Sequence, residues 1–147
     1  MKLIILKGLP GTGKTAVAHG LENRLSNSEV IHLDDFGIKT GKNIEENFKK
    51  ILKKLSKLIE QDTEVAIVEG LTKDVDFWGR LETFAEENKL TLISFMLEQP
   101  LDRLLERKPK NSVEDFKKLQ KYLEVSDEII IRDNDIDGSV NFILNKI

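Results

Sequence analysis

The sequence predicts an α/β fold, a parallel sheet covered by helices on both faces, and three observations predict it. Apolar runs alternate with segments of helical period from end to end, the pattern of successive βαβ units. The runs Leu3-Ile-Ile-Leu6, Val65-Ala-Ile-Val68 and Ile129-Ile-Ile131 are continuous rather than alternating, as strands buried on both faces require. The first of them breaks into the glycine-rich string GLPGTGKT at residues 8–15, which leads into a helix-forming segment.

In order, strands are expected over Lys2–Lys7, Glu29–Leu33, Glu64–Glu69, Leu90–Leu97 and Glu128–Arg132. A helix over Lys14–Leu25 leaves the glycine string. The next, Glu45–Glu60, carries Phe48, Ile51, Leu52, Leu55, Leu58 and Ile59 on one stripe. A third, Asp74–Glu87, sets Phe77, Trp78, Leu81, Phe84 and Ala85 at core spacing, with Asp74 as N-cap and Asn88 as its stop. A short helix, Leu101–Arg107, ends before Pro109. Another opens with the capping-box pattern Ser112-Val-Glu-Asp115 and runs to about Glu124. A last helix follows Gly138, with Asp137 as its cap. No linker, repeat or low-complexity stretch interrupts the series, so the 147 residues read as one domain.

Composition narrows the function classes. With 39% hydrophobic and 33% charged residues the chain reads as globular, and no run approaches the length of a membrane span. The apolar run Leu3–Leu6 is too short for a signal-peptide core, so a cytoplasmic location is expected. There is no cysteine, which excludes disulfides, thiolate catalysis and Cys-based zinc, and the two histidines, His19 and His32, are too few for a histidine metal site. A net charge of −3 leans against a dedicated nucleic-acid binder.

GLPGTGKT matches G-x-x-x-x-G-K-[ST] at Gly8, Gly13, Lys14 and Thr15. Gly8, Gly11 and Gly13 permit the close approach of backbone to phosphate, and the amides of Leu9, Pro10–Thr12 and Gly13–Ala16, as far as each carries an N–H, surround the phosphates at the helix N-terminus. Lys14 is expected on the β- and γ-phosphates and the Thr15 hydroxyl on Mg²⁺. A GTPase would need a guanine-reading Asn-Lys-x-Asp. Asn88-Lys89 and Asn145-Lys146 do not continue that way, which leaves ATP as the nucleotide. A mechanical ATPase would need a larger core, so a compact kinase remains.

Two groups of acids fit that chemistry. Val65-Ala-Ile-Val-Glu69-Gly70 is a buried strand ending in a carboxylate, where Glu69 would hold the waters of Mg²⁺. Asp34-Asp35 follows the second strand. One of these can take the proton of an attacking hydroxyl while the other orients it or faces the metal. Arg103, Arg107, Lys108 and Lys110 cluster around Pro109, where a basic turn between two helices would serve as a lid over the γ-phosphate. Arg80 reads as a surface residue of its helix, and Lys49, Lys50, Lys53, Lys54 and Lys57 as a solvated face, since no exposed aromatics interleave to stack on bases. Asp133-Asn-Asp135-Ile-Asp137-Gly138 imitates a calcium loop, but its twelfth position is Leu144 rather than a bidentate glutamate.

On GLPGTGKT, the pair Asp34-Asp35, the acid at the end of the third strand, Arg80–Asn88 and Pro100–Arg107, nearly the whole chain resembles P-loop kinases of the polynucleotide 5′-hydroxyl kinase type and related small-molecule kinases. The resemblance implies a three-layer α/β/α P-loop NTPase fold with a five-stranded parallel sheet ordered 2-3-1-4-5 and a short helical lid near residues 101–115. It implies Asp35 as the general base, with Asp34 toward the metal, Arg107 as the lid arginine with Arg103 one turn before it, and the segment around Asp133–Gly138 beside the adenine. The arginine of the Asp-Asp-x-Arg pattern is Gly37 here, with Lys39 the nearest cation, and the second lid arginine is Asn111, beside Lys110. Those departures tilt the acceptor toward a small hydroxyl compound and away from a polynucleotide, without removing nucleic acid from the candidates. A nucleotide-binding regulatory protein and a toxin-like kinase are the rival readings.

Overall fold

The computed structural model describes residues 1–37, 42–123, 128–132 and 134–147. Among the described residues, β1 (Lys2–Gly8), β2 (Ser28–His32), β3 (Val65–Glu69), β4 (Thr91–Glu98) and β5 (Ile129–Arg132) form one parallel sheet in the order β2-β3-β1-β4-β5. The helices are α1 (Lys14–Arg24), α2 (Ile44–Glu60), α3 (Phe77–Glu87), α4 (Leu101–Arg107), α5 (Val113–Gln120) and α6 (Ile136–Lys146). β1 is central and covered on both faces, which is why Leu3, Ile4, Ile5 and Leu6 can all be apolar and buried. Their alternation separates two cores. Leu3 and Ile5 pack with Ala66 and Val68 beneath α2 and α3. Ile4 and Leu6 pack with Ile67 and Phe95 beneath α1 and α6.

The stripe foreseen on α2 buries Phe48, Ile51, Leu55 and Leu58. Phe48, Phe77 and Trp78 meet edge to face at centroid distances of 5.4 and 4.8 Å. Arg80 lies on the surface of α3, its guanidinium forked onto Glu45 at 2.9 Å and stacked 3.9 Å over Phe48. Lys54 pairs with Glu29 of β2, and Lys49, Lys50, Lys53 and Lys57 are exposed. No described helix is long and apolar enough to cross a membrane.

Several boundaries differ from expectation by a residue or more, and three of them have a visible local reason. α3 begins at Phe77 rather than Asp74, because the Asp74 carboxylate accepts from the Asp76 amide at 3.1 Å and closes a turn ahead of the helix. α6 begins before Gly138, capped by Asp135 rather than Asp137. The Asp135 Oδ1 accepts from the Gly138 amide at 2.7 Å, three residues on, the reach an N-cap needs. The last residue expected in the second strand, Leu33, instead starts a 3₁₀ turn, Leu33–Phe36, that carries Asp34 and Asp35. The Ser112–Asp115 capping box forms as expected; α5 then passes into a 3₁₀ turn, Lys121–Leu123, while Glu124, Lys39 and Asp133 lie outside the described residues.

Candidate active site

The ends of β1, β2 and β3 meet at the carboxyl edge of the sheet, where doubly wound folds bind ligands. Gly8 ends β1 in a place where a Cβ would come within 2.6 Å of Thr12 Oγ1 and 2.8 Å of the Leu97 carbonyl oxygen. Leu9 and Thr12 close the loop frame: the Leu9 carbonyl accepts from the Thr12 amide at 3.3 Å and from its hydroxyl at 2.9 Å. Gly13, at φ 93°, turns the chain into α1. Lys14 Nζ folds back over the loop and donates to the carbonyls of Gly8 at 2.8 Å and Leu9 at 3.0 Å.

A cavity of about 310 Å³ opens above this loop. Pro10, Gly11, Gly13–Ala16, Asp34, Glu69 and Lys108 are among the residues that line it. Glu69, 4% exposed, accepts on one oxygen, Oε1, from Thr15 Oγ1 at 3.2 Å and from His32, whose Nδ1 lies 2.6 Å away. Oxygen donors from one hydroxyl and two carboxylates suit Mg²⁺, which keeps several waters and takes phosphate oxygens besides a carboxylate or two. Among the described residues no three His, Asp or Glu side chains gather into an all-protein metal site.

Asp34 lines the loop cavity, and Asp35, the next residue, lines a second cavity with Phe36, Gly37, Lys42 and Asn47. From α4, Arg107 donates to the Gly11 carbonyl at 2.8 Å, and a Cβ at Gly11 would lie 3.4–3.6 Å from Lys108, Arg107 and Leu104 side-chain atoms. α4 therefore rests directly on the loop. Arg103, one turn earlier, donates to Gln99 Oε1 at 3.0 Å and is not among the residues lining the loop cavity. Gln99 in turn donates to the Asn134 carbonyl at 2.9 Å, and a Cβ on Gly13 would meet Ile136 at 2.9 Å, so the start of α6 borders the loop.

Two features lay beyond the sequence reading. His32 carries no motif, and its signal is positional: it is the register partner of Glu69. Behind the loop, Lys7 is 1% exposed, pairs with Glu128 at 2.7 Å and lies 4.8 Å from the Trp78 ring centroid. Burial pushes the Lys7 ammonium below its ordinary 10.5, against the opposing pull of the Glu128 carboxylate.

No family model and no curated protein matches the sequence. Among solved structures, the tunicamycin resistance protein of Deinococcus radiodurans superposes with a TM-score of 0.73 at 21% identity, over 99% of this chain and 94% of its own. A sugar kinase from Janibacter sp. HTCC2649 gives 0.68 at 15% identity, over 99% and 93%. The APS kinase of Mycobacterium tuberculosis, in complex with AMPPNP and APS, gives 0.66 at 14% identity, over 98% and 95%. The likeness is one of architecture, and the chain has the fold of the P-loop kinases, a five-stranded parallel sheet in the order 2-3-1-4-5 between helical layers.

Proposed function

We propose that the chain is an ATP-dependent kinase that, with Mg²⁺, transfers the γ-phosphoryl group of ATP to a hydroxyl compound. The observation that carries this reading is the single cavity that gathers Pro10, Gly11, Gly13–Ala16, Asp34 and Glu69. The solved APS kinase with AMPPNP and APS, alike in fold, supports it. The whole chain then serves as one kinase domain, with residues 101–115 as its lid.

In this reading the loop amides and Lys14 hold the phosphates. Lys14 exchanges its loop carbonyls for phosphate oxygens, a stronger charge-assisted contact. Thr15, Asp34 and Glu69 provide the oxygens that hold Mg²⁺ and its waters. Mg²⁺, when bound, supplies the positive charge that neutralises the β- and γ-oxygens. Asp35 receives the proton as the acceptor oxygen forms its bond to γ-phosphorus, and the bond from that phosphorus to the bridging oxygen breaks to release ADP. Arg107, at the end of α4, brings positive charge to the loop as the phosphoryl group moves. The start of α6 gives the adenine its border. The acceptor is a small hydroxyl compound ahead of a polynucleotide 5′ end, since Gly37 stands where the polynucleotide pattern has arginine.

Incubating the protein with γ-³²P-ATP, Mg²⁺ and pooled nucleosides, sugars, amino alcohols and 5′-hydroxyl oligonucleotides tests the reading. Label in one pool names the acceptor class. Tight ATP binding with release of free phosphate alone would replace the kinase with a regulatory or slow ATPase function.

A further inference from the structure

We infer that His32 is a positioning residue for the metal-holding pair: it fixes Glu69 and, through Glu69, aims the Thr15 hydroxyl. The inference rests on the proposed roles of Thr15 and Glu69. His32 ends β2 and Glu69 ends β3, and the parallel register sets them opposite one another, so their side chains leave the sheet on one face. The His32 Nδ1 lies 2.6 Å from Glu69 Oε1, and Thr15 Oγ1 lies 3.2 Å from the same oxygen.

The hydrogens follow from that geometry. The Glu69 side chain is 6% exposed, and a carboxylate withdrawn from water must accept hydrogen bonds. His32 therefore carries its proton on Nδ1, and Thr15 points its single hydroxyl hydrogen at Oε1. A hydroxyl whose hydrogen is held by Glu69 turns its lone pairs elsewhere, and Thr15 lines the cavity above the loop. Without His32, the oxygen that orients Thr15 loses its shorter contact, and the carboxylate can rotate about its terminal torsion. The ring neighbours that of His19 of α1, centroid to centroid 5.0 Å, and the His19 Nδ1 lies 3.4 Å from Glu22 Oε2. The role is that of a hydrogen-bond donor at a fixed point.

Two substitutions in the full chain separate the donor from the ring. His32→Asn loses the ring but places an amide N–H near the position of Nδ1; His32→Ala removes the donor. The readout is the ratio of ATP affinity with Mg²⁺ to ATP affinity in EDTA, by calorimetry. Supports of metal ligands typically carry about 10–100-fold in metal affinity, so His32→Ala should lower the ratio by that order while His32→Asn stays near wild type. Affinity in EDTA should be unchanged in both, since the loop itself is untouched. An unchanged ratio in His32→Ala, an equal loss in both variants, or a collapse of affinity in EDTA would overturn the positioning role. A wild-type protein whose ATP affinity ignores Mg²⁺ would instead contradict the metal roles of Thr15 and Glu69 themselves, and this inference with them.

Discussion

At Gly8 a single added carbon has the largest local effect on the site. Its Cβ would lie 2.8 Å from a backbone oxygen of β4, an atom that cannot step aside, so Gly8→Ala should destabilise the chain by about 1–3 kcal/mol and lose ATP binding. Chemical denaturation and calorimetry would measure the two losses. Arg107 acts differently. It is an exposed side chain whose visible bond is to the Gly11 carbonyl, so Arg107→Ala should leave thermal stability unchanged. Losing one preorganised charge donor should lower turnover by about 10²–10³-fold, read in a steady-state assay once the acceptor is found. The loop residues were legible because spacing alone specifies them. His32 was not, since a lone histidine before two aspartates has no pattern until strand register sets it opposite Glu69.

Among the elements, α1 and α6 pack so closely that Gly20 is needed between them: a Cβ there would lie 2.7 Å from Val140 Cγ2, a stiff and buried side chain. Gly20→Ala gains roughly 1 kcal/mol of helix propensity but meets an overpacking cost of about 1–3 kcal/mol, so a small net destabilisation is predicted. Adding Val140→Ala should recover part of it, the coupling a double-mutant cycle in urea detects. Caps give a sharper test. Asp135→Ala should cost about 1 kcal/mol, whereas Asp137→Ala, inside the first turn, should cost only a few tenths. Helices, strands and the Ser112 box were readable because their signals are local. The starts of α3 and α6 were misplaced because two aspartates compete within three residues, and only backbone geometry decides which carboxylate reaches an amide.

Across the whole molecule, alternation of strands and helices was legible from the residues, while the order β2-β3-β1-β4-β5 came from resemblance. Strand order is a set of contacts between distant segments that no window of sequence contains. The same holds for Lys7 and Glu128, which join the central strand to the segment entering the edge strand β5 across 121 residues of chain. Glu128→Gln leaves a buried ammonium without its charge partner and should cost about 3–5 kcal/mol. Because Lys7 titrates below 10.5 when folded, the unfolded chain binds more protons between that folded value and 10.5, and stability rises with pH there. Wild type should therefore gain stability relative to Lys7→Met as pH is raised toward 10.5, measured by urea unfolding across the alkaline range. The account of catalysis meets its most direct test in Asp35→Ala, assayed for ATP affinity and for label transfer from γ-³²P-ATP to the acceptor. Wild-type affinity with transfer reduced by about 10²–10⁴-fold is the result expected of a lost general base. Transfer equal to wild type would contradict Asp35 as the base and the account of catalysis built on it.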